Sequence, residues 1–373
     1  METKEDEVEF LVISSAYPYR GGISDSTHSF CNELTNSGTK LEVWTFSYLY
    51  PKLLFPGRTQ YSSEKYVQKF KIKRQINTIN PINWFRIALE INRMKPVNIV
   101  LRYWSPILAP AYFFICSLID KRINIIGMVD NWDSHENVMF DSLFRKLFVS
   151  VCKRFVTLSD NVGDQIVKST KKEVTSLFHP INSNLPKIKS KKIALEKLNL
   201  SQSFKYISFI GLIREYKGLK TLILSLQFLP NNIRLIISGE FYEPIEKYLN
   251  IIENNNLKDR VIINSSFVDS TEIRDYICAS DLIILPYLRA SQSGIIPLAY
   301  LYNKPIVVSN VKGLKEIIKK DKTGEIFNKS PLNLSEVILK CLVKENYNNY
   351  KLNIKKFKSD YSWSEFIRRF KLN

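Results

Sequence analysis

Histidine is scarce in this chain, with only His28, His135 and His179 among 373 residues. That scarcity argues against a His-based metal centre. The five cysteines, Cys31, Cys116, Cys152, Cys278 and Cys341, are scattered, odd in number and without metal-ligand spacing. They suggest reduced thiols in a cytoplasmic protein, not a disulfide framework. Long apolar runs are missing too: the longest uncharged one, Ile107 to Ile119, falls short of the roughly 20 residues of a membrane span. It contains Pro110 and is bracketed by Arg102 and Asp120-Lys121-Arg122, so it reads as a buried helix. The opening METKEDEVEF is acidic and runs straight into a strand, which is no secretory pattern.

What is present is a globular composition, 45% hydrophobic and 12% aromatic, in a chain too long for one ordinary core. The net charge is +18. Residues 1–181 carry 23 basic and 18 acidic groups and residues 182–373 carry 31 and 18, so the excess lies mostly in the second half. Basic runs stand at Lys187 to Lys192, Lys319 to Lys322, Lys355 to Lys358 and Lys69 to Arg74. Solvated faces are their ordinary explanation. Attraction to an anionic membrane surface is the functional one. Nucleic acid is not expected as a partner, because no helix-turn-helix, finger or RNA-binding motif accompanies the charge.

Short apolar runs alternate with helical patterns throughout. Strands are expected at FLVIS (10–14), LEVWTF (41–46), VNIVL (97–101), INIIGMV (123–129), FVTLS (155–159) and VTSLF (174–178). The second half repeats the rhythm at YISFIG (206–211), IRLIIS (233–238), VIIN (261–264), LIIL (282–285) and PIVVS (305–309). Between the strands, Trp84, Ile87, Ala88, Ile91 and Met94 recur at helical spacing. The near-continuous apolar strands predict parallel sheets covered on both faces. The expected fold class is α/β, with two doubly wound Rossmann-like domains and an interdomain cleft. The expected boundaries are residues 1–181, a linker at 182–203, and a second domain at 204–357. The final segment, 358–373, places Trp363, Phe366, Ile367 and Phe370 at helical spacing. It reads as a helix that either crosses back to the first domain or caps its own.

Three glycine loops lie where strands give way to helices, the place at which open α/β sheets bind ligands. In FIGLIREYKGL (209–219), Gly211 ends a strand and Lys217-Gly218 begins a helix, whose free N–H groups favour an anion. Arg214 can grip phosphate oxygens in a fork and Lys217 acts as a point charge. In ASQSG (290–294), Ser291, Gln292 and Ser293 before Gly294 offer the neutral donors and acceptors that sugar hydroxyls require. Tyr19-Arg20-Gly21-Gly22-Ile23 forms the third loop, after the first strand. The plain alternative for each is an ordinary strand-to-helix connection.

These loops, together with LYPKLLFPGRTQY (49–61), VDNWDSHE (129–136), Ser280-Asp281-Leu282 before ILPY, and NKPIVVSNVKGLKEII (303–318), give the chain its kinship. Over nearly its full length it resembles the bacterial glycosyltransferases of family 4, whose architecture is the two-domain GT-B fold. The resemblance implies transfer of a sugar from a nucleotide-diphosphate-sugar, GDP- or UDP-linked, with retention of anomeric configuration. By that likeness Arg214 and Lys217 hold the diphosphate, with Gly211, Gly218 and Gly239 in the surrounding loops. Gly21, Gly22 and Ile23 present amides to phosphate and sugar, Phe267 and Val268 lie by the nucleobase, and Ser291 to Gly294 contact sugar or ribose. It further implies a saccharide acceptor, lipid-linked, at the inner face of the plasma membrane, in surface polysaccharide, capsule or lipopolysaccharide synthesis. No cofactor or metal is implied, and the chain carries no Asp-X-Asp.

The departures are specific. Leu212 stands where the family commonly has the loop arginine, and Arg214 is expected to take its role. The two glutamates often found eight positions apart in the second loop are absent. Asp130 replaces a common histidine, and Asp130, His135 and Glu136 become the candidates for ordering the acceptor or the transferred sugar, with Asp130 and Glu136 the candidates for a carboxylate nucleophile. A loop aspartate capping a helix and a surface histidine are the structural alternatives. The competing functional reading is a catalytically inactive partner subunit that keeps the fold.

Overall fold

Runs rich in Val, Ile and Leu, each followed by enough chain for one helix, can hydrogen-bond side by side only as parallel strands with crossover connections. The computed structural model describes residues 8–49, 60–62, 68–132, 140–182, 185–266 and 268–372. The chain divides into two compact units, residues 1–180 with 363–373, and residues 181–362.

In the first unit the elements run β1 (Phe10–Ile13), α1 (Gly22–Asn36), β2 (Leu41–Tyr48), β3 (Lys71–Asn77), α2 (Pro81–Met94), β4 (Asn98–Tyr103) and α3 (Ala109–Ser117). They continue with β5 (Asn124–Val129), α4 (Asp141–Val151), β6 (Arg154–Thr157), α5 (Asp160–Val167) and β7 (Val174–Ser176). The sheet order is β3-β2-β1-β4-β5-β6-β7, and every pairing is parallel. Connections therefore reverse direction between β1 and β4, which opens a crevice at the carboxyl ends of those strands. Alternate strand residues feed two cores. Leu11 and Ile13 join the face covered by α2 and α3, and Phe10 and Val12 join the face lined by Phe30 and Leu34 of α1.

The second unit comprises α6 (Lys191–Lys197), β8 (Lys205–Ile210), α7 (Leu219–Ser225), β9 (Ile233–Ser238), α8 (Glu246–Asn254), β10 (Val261–Asn264) and α9 (Ser270–Ala279). It is completed by β11 (Leu282–Leu285), α10 (Ile295–Leu301), β12 (Ile306–Ser309), α11 (Lys312–Asp321), β13 (Gly324–Phe327), α12 (Pro331–Leu342) and α13 (Lys344–Phe357). Its parallel sheet has the order β10-β9-β8-β11-β12-β13, so its reversal falls between β8 and β11. The last helix, α14 (Trp363–Leu372), packs on α1 of the first unit. Phe370 meets Phe30 edge-on with ring centroids 5.3 Å apart, and Phe366, Ile367 and Trp363 are buried with it.

Three features differ from the sequence reading. Lys69 to Arg74, expected as a membrane-facing run, mostly forms edge strand β3. Phe70 packs on the His28 ring and Ile72 on the core, while Lys73 pairs with Glu42 at 3.2 Å, so the interleaved apolar residues face inward. The edge position explains the charge, because one strand face borders water. The stretch 182–203 is no simple linker: Ser190 caps α6, which packs on α9, and Lys191 pairs with Asp281 at 2.6 Å. Finally, β13 was not expected, because GEIF is short and only its Phe327 is buried.

The aromatic cluster under α14 yields a direct expectation. Phe370→Ala should cost about 3–5 kcal/mol. Calorimetry should show one unfolding transition shifted down, and an unshifted trace would remove α14 from the stabilising contacts.

Candidate functional site

The carboxyl edge of the second sheet gathers most of the loops singled out from sequence. Gly211 leaves β8 with φ 106°, a conformation open to glycine, and its N–H donates to Ser238 O at 2.9 Å. Gly239, at the end of β9, packs so closely on Gly211 that any side chain would strike the Gly211 carbonyl. Gly218 sits at φ 68°, and a methyl there would drive into the carbonyl oxygen of Pro286. The N–H of Leu288 donates to Tyr216 O at 2.7 Å, so the loop after β11 is laced to the loop after β8. Ser291 and Ser293 are buried in that second loop, Gln292 is half-buried, and Gly294 is exposed just before α10. Gly313, at the start of α11, touches the carbonyls of Ala290 and Ser291, a close approach that the sequence reading missed. Val268 is buried beyond the end of β10, whereas Phe267 lies outside the described residues.

Arg214 and Lys217 flank a single 3-10 turn, Glu215–Lys217, and α7 starts only at Leu219. With seven residues α7 is short, so the two cations and the loop amides contribute more to the local field than a helix dipole does. The Arg214 guanidinium lies 4.9 Å from the Tyr242 ring centre, and the Lys217 ammonium 5.6 Å from that of Tyr287. A Cβ placed on Gly211 would be 3.7 Å from Lys217 Nζ, so the ammonium reaches back over the glycine. Among the described residues no carboxylate lies within ion-pair distance of Lys217. Burial and the neighbouring Arg214 charge lower the Lys217 amine to about 8. A half-buried ammonium beside a guanidinium, with no carboxylate in reach of the ammonium, has the charge and setting that suit an anion.

In the first unit, Gly21 (φ 103°) caps the start of α1, and a Cβ on either Gly21 or Gly22 would meet only open space. The space is a pocket of about 140 Å³ walled by Tyr19, Arg20, Gly21, Gly22, Ile23 and Trp104. Trp104 follows β4, so the pocket lies at the reversal point of this sheet. His28 supports the loop: its Nε2 accepts from Tyr17 N–H at 3.0 Å, and burial drops its imidazolium to about 4, which keeps it neutral.

Asp130 is placed differently from the sequence expectation. Arg102 donates to both its oxygens, Nε to Oδ2 at 2.8 Å and Nη2 to Oδ1 at 2.7 Å. The same guanidinium donates to Ser26 Oγ at 2.8 Å and Thr27 Oγ1 at 3.2 Å, and both charged residues are buried. Asp130 is therefore the anchor that ties β4, β5 and α1 together, with both of its oxygens engaged by the guanidinium. Arg102 gave no sequence signal, because its partners stand 28 and about 75 positions away. His135 and Glu136 lie outside the described residues. Among the described residues no group of three or more His, Cys, Asp or Glu is placed to hold a metal ion.

Residues 190–357 match the family model described as glycosyl transferases group 1. The chain is 20% identical to the uncharacterized glycosyltransferase MJ1178 of Methanocaldococcus jannaschii over 96% of each. Among solved structures, Anabaena Alr3699/HepE in complex with UDP-glucose superposes with a TM-score of 0.76 at 13% identity, over 97% of this chain and 98% of that one. The lipopolysaccharide outer core galactosyltransferase WaaB, in its apo form, gives a TM-score of 0.68 at 13% identity, over 96% and 97%. The fold is thus the GT-B fold of glycosyltransferases, two Rossmann-like domains each built on a parallel sheet.

Two expectations come from this geometry. Arg102→Met leaves Asp130 buried without its counter-charge and should cost roughly 3–5 kcal/mol. Urea unfolding would check it, and a loss under 1 kcal/mol would mean that the carboxylate finds water. For Lys217, the unfolded amine titrates near its ordinary 10.5 and the folded one near 8. The unfolded chain then binds more protons between those values, so this group makes stability rise with pH across that window. A bound diphosphate favours the ammonium. Its affinity should hold steady below pH 8 and fall above it by up to about tenfold per pH unit. Calorimetric titration of a nucleoside diphosphate from pH 6.5 to 9.5 reads this, and Lys217→Met should flatten the profile.

Proposed function

We propose that the chain, whose residues 190–357 match the group 1 glycosyl transferase model, moves a sugar from a nucleotide-diphosphate-sugar to a saccharide acceptor with retention of configuration. The observation that carries this reading is the Lys217 ammonium beside Arg214 at the reversal point of the second sheet, with no carboxylate within ion-pair distance of it among the described residues. Developing negative charge on a departing diphosphate is what two such cations and fixed backbone amides stabilise best. HepE, which binds UDP-glucose, supports a nucleotide-sugar as donor. The bond between the anomeric carbon and the diphosphate oxygen breaks, a bond to the acceptor oxygen forms, and the acceptor proton passes to the departing phosphate. No protein carboxylate acts in that step, in keeping with the engagement of Asp130 by Arg102. Neither a metal nor a further cofactor takes part.

The acceptor is a lipid-linked saccharide used in surface polysaccharide or lipopolysaccharide assembly, a reading that WaaB supports by likeness of fold. No described helix is long and apolar enough to cross a membrane. The chain then works as a peripheral protein on the inner face of the plasma membrane. Binding of ligand at 100 times its dissociation constant adds roughly 2.7 kcal/mol of apparent stability. UDP- and GDP-sugars should therefore raise the melting temperature, and labelled sugar should transfer to lipid-linked acceptors. Arg214→Ala and Lys217→Ala should abolish both effects while the ligand-free transition stays in place. Donor binding with no turnover on any acceptor would favour an inactive partner subunit instead, and undiminished shifts in both variants would overturn the diphosphate site.

A further inference from the structure

Helix α2 is built with its polarity partly reversed. Ile87, Ala88 and Ile91 are buried against the sheet, as the helical spacing requires. The opposite side is not polar. Ile82 is 82% exposed, Phe85 52% and Leu89 43%, and Ile79, just before the helix, is 57% exposed. At 3.6 residues per turn, Phe85, Leu89, Ile82, Arg93 and Arg86 fall in that order within an arc of about 100°. The solvent side of α2 is thus an apolar stripe edged by arginines.

The stripe continues onto α3. Asn92 donates to Leu118 O at 2.9 Å and accepts from Asp120 N–H at 2.8 Å, and the Trp84 and Phe114 rings lie 5.6 Å apart. Phe114 and Leu118 are themselves partly exposed beside α2. Around this patch stand Arg86, Arg93, Lys95 and Lys121, all exposed. The acidic groups nearby are already engaged: Glu90 pairs with Lys73 at 3.3 Å, and Asp120 with Arg122 at 2.6 Å. The patch is therefore both apolar and cationic.

We infer that this α2–α3 face is a docking surface for an anionic lipid bilayer, with Ile82, Phe85 and Leu89 entering the interface and the four cations meeting head groups. Apolar residues on the exposed side of a helix, flanked by arginines, suit the boundary between head groups and acyl chains. A two-fold contact between copies fits less well, because it would bring the cations of this face, Arg86, Arg93, Lys95 and Lys121, against their own copies. Burial of Phe70 and Ile72 leaves the β3 run without the apolar contribution that α2 has. The inference takes from the proposed function only the reason for a bilayer, a lipid-linked acceptor.

Flotation of the full chain with vesicles of phosphatidylglycerol and phosphatidylcholine, at low and high salt, tests it. Wild type should float with anionic vesicles, less so as salt rises. Phe85→Ser with Leu89→Ser should lower the partition coefficient by about tenfold or more. Arg86→Glu with Arg93→Glu should lower it by about twentyfold or more, at roughly fivefold or above per cation. Lys319→Glu with Lys320→Glu, on α11, should change it little. Undiminished flotation of both patch variants overturns the inference, as does a wild type that stays in solution as a dimer which the patch variants dissolve. The donor-induced thermal shift separates this from the proposed function. A shift without flotation removes the bilayer surface alone, and flotation through the patch without any shift removes the donor site alone.

Discussion

At the carboxyl edge of the second sheet, backbone touches backbone. Gly218 lies against the Pro286 carbonyl, Gly239 against that of Gly211, and Gly313 against those of Ala290 and Ser291. Only a residue without Cβ permits such approaches. Because of them, four loops close on one another over the end of the sheet, and the Lys217 ammonium comes to rest above Gly211 next to Arg214. The chemistry of the site depends on this closeness. A side chain at Gly218, Gly239 or Gly313 would run into the carbonyl it lies against and force those loops apart.

The chain treats its buried charges in two ways. Arg102 and Asp130 form a closed set, with the guanidinium shared among a carboxylate and two hydroxyls of α1. That arrangement fixes the start of α1 relative to β4 and β5, and removing either partner leaves a desolvated charge. Lys217 is different: its ammonium lies beside Arg214 with no carboxylate in ion-pair reach among the described residues, and burial and that neighbour pull its amine down. A lysine desolvated beside a like charge is costly in a folded protein, and groups perturbed in this way cluster at functional sites. The contrast separates a structural anchor from a candidate binding site.

Charge along the sequence and charge on the surface prove to be different quantities. Lys71-Ile-Lys-Arg-Gln-Ile-Asn77 looks like a cationic patch with apolar interruptions, yet it is an edge strand whose Ile72 packs on one core and whose Ile76 is buried in the other, with a shift in register against β2 between them. Helix α2 looks unremarkable in sequence, because one apolar set satisfies the expected helical spacing. The second set, Ile82, Phe85 and Leu89, shows its meaning only when the first is seen to fill the core side.

Much of the architecture was legible because it follows from local pattern. Apolar runs of four to six residues, such as LIIL and IRLIIS, can be buried on both faces only in a parallel sheet, and glycines at their ends mark where the chain must turn tightly. Those rules also located the loops of the candidate site. Pairing partners were not legible. Arg102 reaches Asp130 and Ser26 across 28 and 76 positions, and Gly313 meets Ser291 from a different helix, so neither contact leaves a local trace. Sequence by itself determined the sheets, the loops and the residue types available for an anion, since these depend on neighbours along the chain. Tertiary structure alone decided which charges are cancelled and which apolar side chains remain outside, because both depend on what lies across space from them.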